Sequence, residues 1–362
     1  MEPISIASLE NRLNRPSEPE EVEFNYKLEE SSNIDIKSFE ILSTIGNGSY
    51  GEVFIVKQKD TENVYALKKI PYHDVFDSEL VIKRAKRERD AMVACNTRGN
   101  NRGPKLHYAF IDKEEATFNL VMEYLPGGDF NSHCYKRQCD NNSFTMQEIQ
   151  FYIAELVVCI EQFHNMGWLH RDVKPENLMI NRDGHLVLCD YGSSKQIVNT
   201  NSADKVFGNT PPNFTSFLRN PSCSYTSYVG TPQYMAVEVV QGIIYSKLCD
   251  YWSLGAILFE LITGQGLFVE SPDTTEQKIR ENIGNWRGLL NTAISKNQPI
   301  PKVAESLIRD LIAPERKRLD SNAIKKHPFF EGIDWLSIST CKATPPFVPN
   351  ISHPTDTSHF GQ

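Results

Sequence analysis

No uncharged apolar run in the sequence is long enough to span a bilayer, which takes about 18–20 residues. The most apolar stretches, 150–163 and 251–263, are broken by Glu155, Glu161 and Glu260, so a membrane span is not expected. The first residues have no basic segment followed by an apolar core, so no secretory signal is expected either. The eight cysteines, at 95, 134, 139, 159, 189, 223, 249 and 341, contain no C-x-x-C pair. That spacing suits neither a zinc site nor a small disulfide scaffold. Free thiols point to a reducing compartment, cytosol or nucleus, and the expectation is cytoplasmic. An excess of positive charge is also missing. Lys plus Arg is 38 against 46 Asp plus Glu, a net charge of −8, which argues against nucleic acid as the main partner. No repeat of 20–50 residues is visible. What remains, with 40% apolar and 23% charged residues over 362 positions, is a folded chain with ample material for a core.

Its organisation changes along its length. Residues 1–36 are polar and acidic, broken by Pro16 and Pro19, with a short amphipathic helix expected at Ile4–Leu13. Alternating patterns then predict strands at Phe39–Ile45, Glu52–Gln58 and Val64–Ile70, a basic helix at Ser78–Ala94, and strands at Lys105–Ile111 and Thr117–Tyr124. After Pro126-Gly127-Gly128 the chain turns mainly helical. Gln147–Met166 carries Ile149, Ile153, Leu156, Val157 and Ile160 on one predicted face, and a second apolar helix is expected at Asp250–Thr263. Residues 193–226 are rich in Asn, Ser, Thr and Pro and read as a long loop. Trp335–Gln362 reads as an extended tail on the surface. The pattern is a small β-rich lobe, a glycine hinge and a larger α-rich lobe.

Three strings carry chemistry. In IGNGSYGEV, residues 45–53, Gly46, Gly48 and Gly51 form G-x-G-x-x-G. Glycines let a backbone approach phosphates without a Cβ in the way, and successive N–H groups can bind the anion. A glycine-rich hairpin turn explains the string too, and the strand-turn-strand setting argues against a dinucleotide site, where a helix should follow. In YALKKI, residues 65–70, Ala66 and Lys68 share one face of a strand; a lone lysine there reads most simply as a surface residue. In HRDVKPENL, residues 170–178, Asp172, Lys174 and Asn177 lie within six residues, and HLVLCDYG at 185–192 ends a strand at Asp190. A carboxylate, an ammonium and an amide so close can orient a hydroxyl, steady a phosphate and hold a metal.

Together these strings resemble the protein-kinase signature set, over residues 39–330 and in the order the family uses. GTPQY at 230–234, DYWSLG at 250–255 and HPFF at 327–330 extend the likeness. The tail GIDWLSISTCKATPPFVPNISHPTDTSHF resembles that of AGC-group kinases. With VMEYLPGGD, FYIAE and DYGSS it is similar to the myotonic dystrophy/Rho-associated/citron branch, citron-type kinase most of all. The resemblance implies an α+β, two-lobed protein kinase fold: an N-terminal extension over 1–38, a β-rich lobe with one regulatory helix over 39–122, a hinge at 123–128, a helical lobe over 129–330 and a C-terminal tail over 331–362. It implies ATP and Mg²⁺ as cofactors and transfer of the γ-phosphoryl group to Ser/Thr hydroxyls of proteins. It also points to cytoskeletal or cytokinesis signalling with Rho-type GTPase or myosin partners, and to a homodimer through the N-terminal extension.

Roles follow by the same resemblance. Asp172 handles the substrate hydroxyl and Lys174 steadies the phosphoryl group. Asn177 and Asp190 hold the metal ions, and Lys68 contacts phosphates and pairs with Glu88. Ile45, Gly46, Asn47, Gly48, Ser49, Tyr50 and Gly51 cover the nucleotide. Val53, Ala66 and Met179 sandwich adenine, the backbone of Glu123–Leu125 binds its edge, Met122 is the gatekeeper, and Asp129 contacts ribose. Met92, Leu106, His170 and Tyr191 form an apolar spine, for which plain core packing is an equal reading. Asp129 and Glu176 are expected to favour basic residues before the acceptor. Ser227 lies where the group places an activating phosphosite, to be met by Arg171, and Thr231 marks a Ser/Thr kinase.

Three departures stand out. Tyr191 replaces the usual phenylalanine of D-F-G and needs a polar partner for its hydroxyl if buried. Val237 replaces the proline of A-P-E, although Glu238 can still pair with Arg318. The stretch from Asp190 to Glu238 is long for this branch. The swollen loop and the lost proline are what favour the alternative, a pseudokinase-like scaffold without turnover; a small-molecule kinase fits the tail and GTPQY poorly. The run Lys83, Arg84, Lys86, Arg87 and Arg89 reads as a solvated helix face, and Cys189 should border the nucleotide site.

Overall fold

The computed structural model describes residues 26–27, 34–48, 51–72, 78–197, 205–206, 232–243, 245–296 and 300–360. The helix expected at Ile4–Leu13 lies outside them, as do Ser49, Tyr50, Ser227 and Thr231.

Period-2 patterning in the first third produces one six-stranded antiparallel sheet. Its strands are β1 (Tyr26–Lys27), β2 (Phe39–Gly48), β3 (Gly51–Gln58), β4 (Val64–Pro71), β5 (Leu106–Asp112) and β6 (Thr117–Glu123), in the spatial order β1-β5-β6-β4-β3-β2. The strand pair Tyr26–Lys27, on the edge beside Ala109 and Tyr108, comes from the segment read as an extension. On β4, Tyr65 and Leu67 join Phe39, Val56, Phe110 and Val121 in a small outer cluster, while Lys68 and Ile70 are buried with the inner face turned toward the rest of the molecule. The alternation expected of YALKKI is therefore what fixes which lysine faces inward. Helix α1 (Ser78–Thr97) buries Ala85, Glu88, Ala91, Met92 and Cys95, a helical spacing that lays one stripe against the sheet.

The second lobe follows α2 (Phe130–Cys139) and is built on α3 (Met146–Asn165). Thr145 and Glu148 close a capping box at the start of α3: the Thr145 hydroxyl accepts from the Glu148 amide at 3.2 Å, and the Glu148 carboxylate accepts from the Thr145 amide at 2.7 Å. The sequence predicts one buried face for this helix. Instead Phe151, Tyr152, Ala154, Val158, Cys159 and Phe163 are buried as well, because the helix is the axis of the lobe and neighbours surround it. Short strands follow: β7 (Trp168–Leu169), β8 (Leu178–Ile180), β9 (Leu186–Leu188) and β10 (Lys195–Gln196), paired β8 with β9 and β7 with β10. Helices α4 (Val237–Val240) and α5 (Cys249–Thr263) come next, α5 packing along α3. One continuous apolar core joins α1 and the inner sheet face to the helical lobe. Among the described residues no helix is long and apolar enough to cross a membrane.

The tail lies along the surface and is seated there by specific contacts. A short helix at Trp335–Ser339 buries Ile338, the Phe347 ring packs 4.5 Å from that of His133, and Phe360 stacks on Tyr124 at 5.8 Å. The Tyr124 hydroxyl donates to the Asp356 carbonyl. Gly128, at φ +73, lets the tail approach: a Cβ there would meet the His359 carbonyl oxygen at 2.1 Å.

Candidate active site

The cleft between the lobes collects side chains from four distant stretches of chain. From β4, the Lys68 ammonium lies 2.7 Å from Glu88 Oε1 on α1 and 3.1 Å from Asp190 Oδ1 after β9. Burial by itself would strip Lys68 of its proton, but the Asp190 and Glu88 carboxylates outweigh it and hold the ammonium charged. Burial likewise works against charge on Asp190, and Lys68 reverses it, leaving that carboxyl below its ordinary range. Asp190 stands at φ 59, ψ 76, a left-handed backbone uncommon for a residue with a Cβ. Its neighbours must hold it there.

Opposite, Asp172 Oδ2 accepts from Lys174 Nζ at 3.0 Å and from Asn177 Nδ2 at 3.1 Å. Asn177 Nδ2 also donates to the Asp172 carbonyl at 2.8 Å, which turns the amide oxygen of Asn177 away from these partners. The Cys189 amide donates to the Asn177 carbonyl at 2.8 Å, tying the two halves together, and the charge of Lys174 is felt at Asp190.

A support beneath the loop was not assigned from the sequence. Asp250, 1% exposed at the start of α5, accepts from the His170 amide at 3.0 Å, the Arg171 amide at 2.8 Å and the His164 ring at 2.7 Å. With Arg171 at φ 68, the carboxylate fixes a strained turn by its two amides. DYWSLG was visible as a family string, and a buried aspartate opening an apolar helix was the available signal.

The remaining candidates fall as follows. Val53 and Ala66 lie on β3 and β4, Ile45, Gly46 and Asn47 on β2, and Met122 and Glu123 at the end of β6. Leu125 is buried just after it, and Met179 bridges to Asp129. Gly51, at φ +140, is required by the fold, since a Cβ would meet the Lys69 carbonyl oxygen at 2.0 Å. At Gly46 a Cβ would meet, among the described residues, only Val53 at 3.7 Å, ordinary contact. Asp129 caps α2, accepting from the Ser132 amide at 2.8 Å and hydroxyl at 2.7 Å. Glu176 is exposed next to this turn. Met92, Leu106 and Tyr191 are buried in the one core and His170 is buried beside it, with the Tyr191 ring 5.7 Å from that of His170 and stacked on Phe163 at 4.7 Å.

The basic run on α1 divides. Lys83 and Lys86 are exposed, but Arg87 turns inward and donates to the Gly192 carbonyl at 3.4 Å. Arg171 donates to the carbonyls of Ser193 at 2.7 Å and Ser194 at 3.4 Å and to the Tyr245 hydroxyl at 3.0 Å. Burial and the nearby Arg171 lower Arg87, and burial with Arg171 and Arg87 lowers Lys195. Three cations thus crowd one corner. Burial pushes the Cys189 thiol well up, so it is not a reactive thiolate. Glu238 pairs with Arg318 at 3.0 Å, both buried, despite the loss of proline before it.

The donor set suits a hard divalent ion bound jointly with phosphate. Among the described residues no group of three His, Cys, Asp or Glu side chains could hold a metal by itself. An amide oxygen and a carboxylate leave most of an octahedral shell to phosphate and water, as Mg²⁺ prefers.

Comparison with known proteins bears on the family. A protein kinase domain model matches residues 39–330. A probable serine/threonine-protein kinase of Dictyostelium discoideum is 58% identical, over 99% of this chain and 100% of its own length. The serine/threonine-protein kinases Warts of Drosophila melanogaster and LATS2 of Homo sapiens are 36% and 34% identical over 93% of the chain. The chain spans only 31% and 32% of those two relatives. Warts and LATS are the names met here, where the tail had pointed to the citron branch.

Proposed function

The chain belongs to the protein kinase family as a serine/threonine kinase, and from that premise we propose that it moves the γ-phosphoryl group of MgATP to protein hydroxyls at the cleft just described. The observation that carries this reading is Lys68 held between Glu88 and Asp190, opposite the Asp172–Lys174–Asn177 cluster. Lys68 offsets phosphate charge. Asp172 accepts a hydrogen bond from the substrate hydroxyl and aligns it, and Lys174 stays beside it to steady the transferring group. Asn177 and Asp190 would hold the metal, which would supply charge neutralisation at the phosphates. The strand β2–β3 hairpin from Ile45 through Gly51, with Val53, Ala66, Met122, Glu123, Leu125, Asp129 and Met179, forms the nucleotide's binding face; Gly46 supports this, since among the described residues a Cβ there would make only ordinary contact.

The lobes are taken as 39–122 and 129–330, with the hinge at 123–128. The tail and the LATS and Warts likeness both favour the AGC group. Between its branches, identity over 93% of the chain supports the Warts and LATS kinases, while the citron branch rests on the sequence resemblance alone. A cytoskeletal setting with Rho-type or myosin partners, a homodimer through the N-terminal extension and a cytoplasmic location rest on the sequence resemblance alone.

Two further roles have physical support. Glu176 lies near Asp172 and Asp129, so a basic side chain preceding the acceptor would meet crowded carboxylates. A peptide array without Arg or Lys enrichment upstream would remove that preference. A phosphate on Ser227 would find Arg171, Arg87 and Lys195 already gathered; unchanged turnover in Ser227→Ala excludes that switch.

The deciding experiment is radiolabelled phosphate transfer to a basic substrate by wild type and Asp172→Asn. A large loss in the variant is expected. Equal signals would leave the scaffold reading, in which the cleft binds without turnover.

A further inference from the structure

The tyrosine in place of phenylalanine after Asp190 is built into the packing. Its ring keeps the place between Phe163 and His170, and its hydroxyl reaches further, into a niche between α1 and the loop before β5. There it donates to the Leu188 carbonyl at 2.7 Å and accepts from the Cys95 thiol at 3.6 Å. Burial keeps both protons on: the Cys95 thiol is pushed up to about 11, and the Tyr191 phenol well above its usual range. The niche exists because residue 103 is glycine. A Cβ at Gly103 would lie 2.4 Å from the Tyr191 hydroxyl oxygen and 3.0 Å from the Cys95 sulfur, and the backbone there is not in the left-handed region. Space, not backbone conformation, is thus what that glycine provides.

The bond closes a small loop around a strained residue. Leu188, Cys189, Asp190 and Tyr191 are consecutive, and the hydroxyl of the fourth grips the carbonyl of the first. His170 bonds the Cys189 carbonyl at 2.9 Å. Between these pins Asp190 stands in its left-handed conformation, with its carboxylate toward Lys68.

We propose that the Tyr191 hydroxyl is a positioning group: seated in the niche opened by Gly103 and bonded to Leu188, it latches the 188–191 segment so that Asp190 faces the cleft. This rests on the assignment of Asp190 as a metal ligand. A phenylalanine keeps the ring and loses the latch, so the segment opens more often.

Hydrogen exchange on the nucleotide-free protein tests it, apart from any assay of phosphate transfer. The amides of Leu188, Cys189 and Ser194 donate to the carbonyls of Arg102, Asn177 and Tyr191 and report opening. In Tyr191→Phe they should exchange roughly three- to tenfold faster, the value of one neutral hydrogen bond, while amides of α3 stay unchanged. Gly103→Ala should speed the same amides when Tyr191 is present, by crowding its hydroxyl, and add less in Tyr191→Phe, where only the approach to Cys95 and Asn100 remains. Unchanged local exchange in Tyr191→Phe, acceleration spread evenly through the molecule, or an equal effect of Gly103→Ala in both backgrounds would overturn the latch. Failure there with Asp172→Asn still inactive would reject the latch and keep the kinase.

Discussion

Two clusters of charge in this molecule teach different lessons. In the cleft, Lys68, Glu88, Asp190, Asp172 and Lys174 are paired, yet the Asp190 and Asp172 side chains remain 33% and 22% exposed. Behind the helical lobe, Arg102, Glu155 and His185 are sealed. Arg102 lies 2.8 Å from Glu155 Oε1, His185 bonds the same oxygen at 2.7 Å, and the Leu186 amide donates to Glu155 Oε2 at 2.8 Å. Arg102 also donates to the carbonyl of Ile338, so this cluster ties α3, β9 and the tail together. The first cluster keeps acceptor capacity turned toward solvent, where a ligand can use it. The second spends its capacity on the protein itself. Exposure of the acids, rather than the number of ion pairs, separates a working site from a structural one.

That contrast can be broken by substitution. Asp172→Asn should cut turnover by about a thousandfold, in the range of a lost hydroxyl-orienting acid or base, with little change in melting temperature. Glu155→Gln should do the reverse. It leaves the buried Arg102 uncompensated and should cost about 3–5 kcal/mol in denaturant unfolding, with activity per folded molecule retained. Should Glu155→Gln remove activity without loss of stability, the division between the clusters fails.

A smaller effect concerns His133 under the tail. Burial, then Arg137, depresses it from 6.5 to about 4, and its Nε2 has no hydrogen-bond partner among the described residues. The unfolded chain therefore binds a proton between those two values that the native state refuses. The His133 contribution to stability therefore falls as pH drops from about 6.5 to about 4 and is flat above. His133→Phe should flatten its share of that slope and keep the Phe347 contact, as pH-dependent melting curves would show. The smallest change is expected from Glu115→Ala. Lys69 and Glu115 meet at 2.5 Å, but the glutamate is 50% exposed, so the loss should be below about 1 kcal/mol by chemical unfolding.

Much of the cleft was readable in advance because phosphate chemistry limits which side chains serve. Asp172, Lys174, Asn177 and Asp190 stood out by residue type and spacing, whereas Lys68 alone reads as a surface lysine and, like Glu88, was assigned through the family resemblance. The strand pattern of β2 to β6 was readable to within a few residues, since alternation with one buried face leaves few registers. Asp250 was not assigned, because its role is to accept backbone amides, which leave no mark in the side-chain pattern. The inward turn of Arg87 was hidden inside a run of five basic residues. The grip of the tail on Tyr124 and His133 was likewise hidden, since Phe347 and Phe360 lie in segments without periodicity.

The amino-acid order by itself determined the alternation that makes the sheet and the capping box of α3, because these depend on neighbours a few positions apart. The tertiary structure alone decided which carboxylates stay open to the cleft and which are sealed with Arg102. It also decided that Gly103 makes room for a hydroxyl eighty-eight positions on, and that the tail closes over the hinge. Those outcomes depend on burial and on contacts between remote segments, and both exist only once the core has formed.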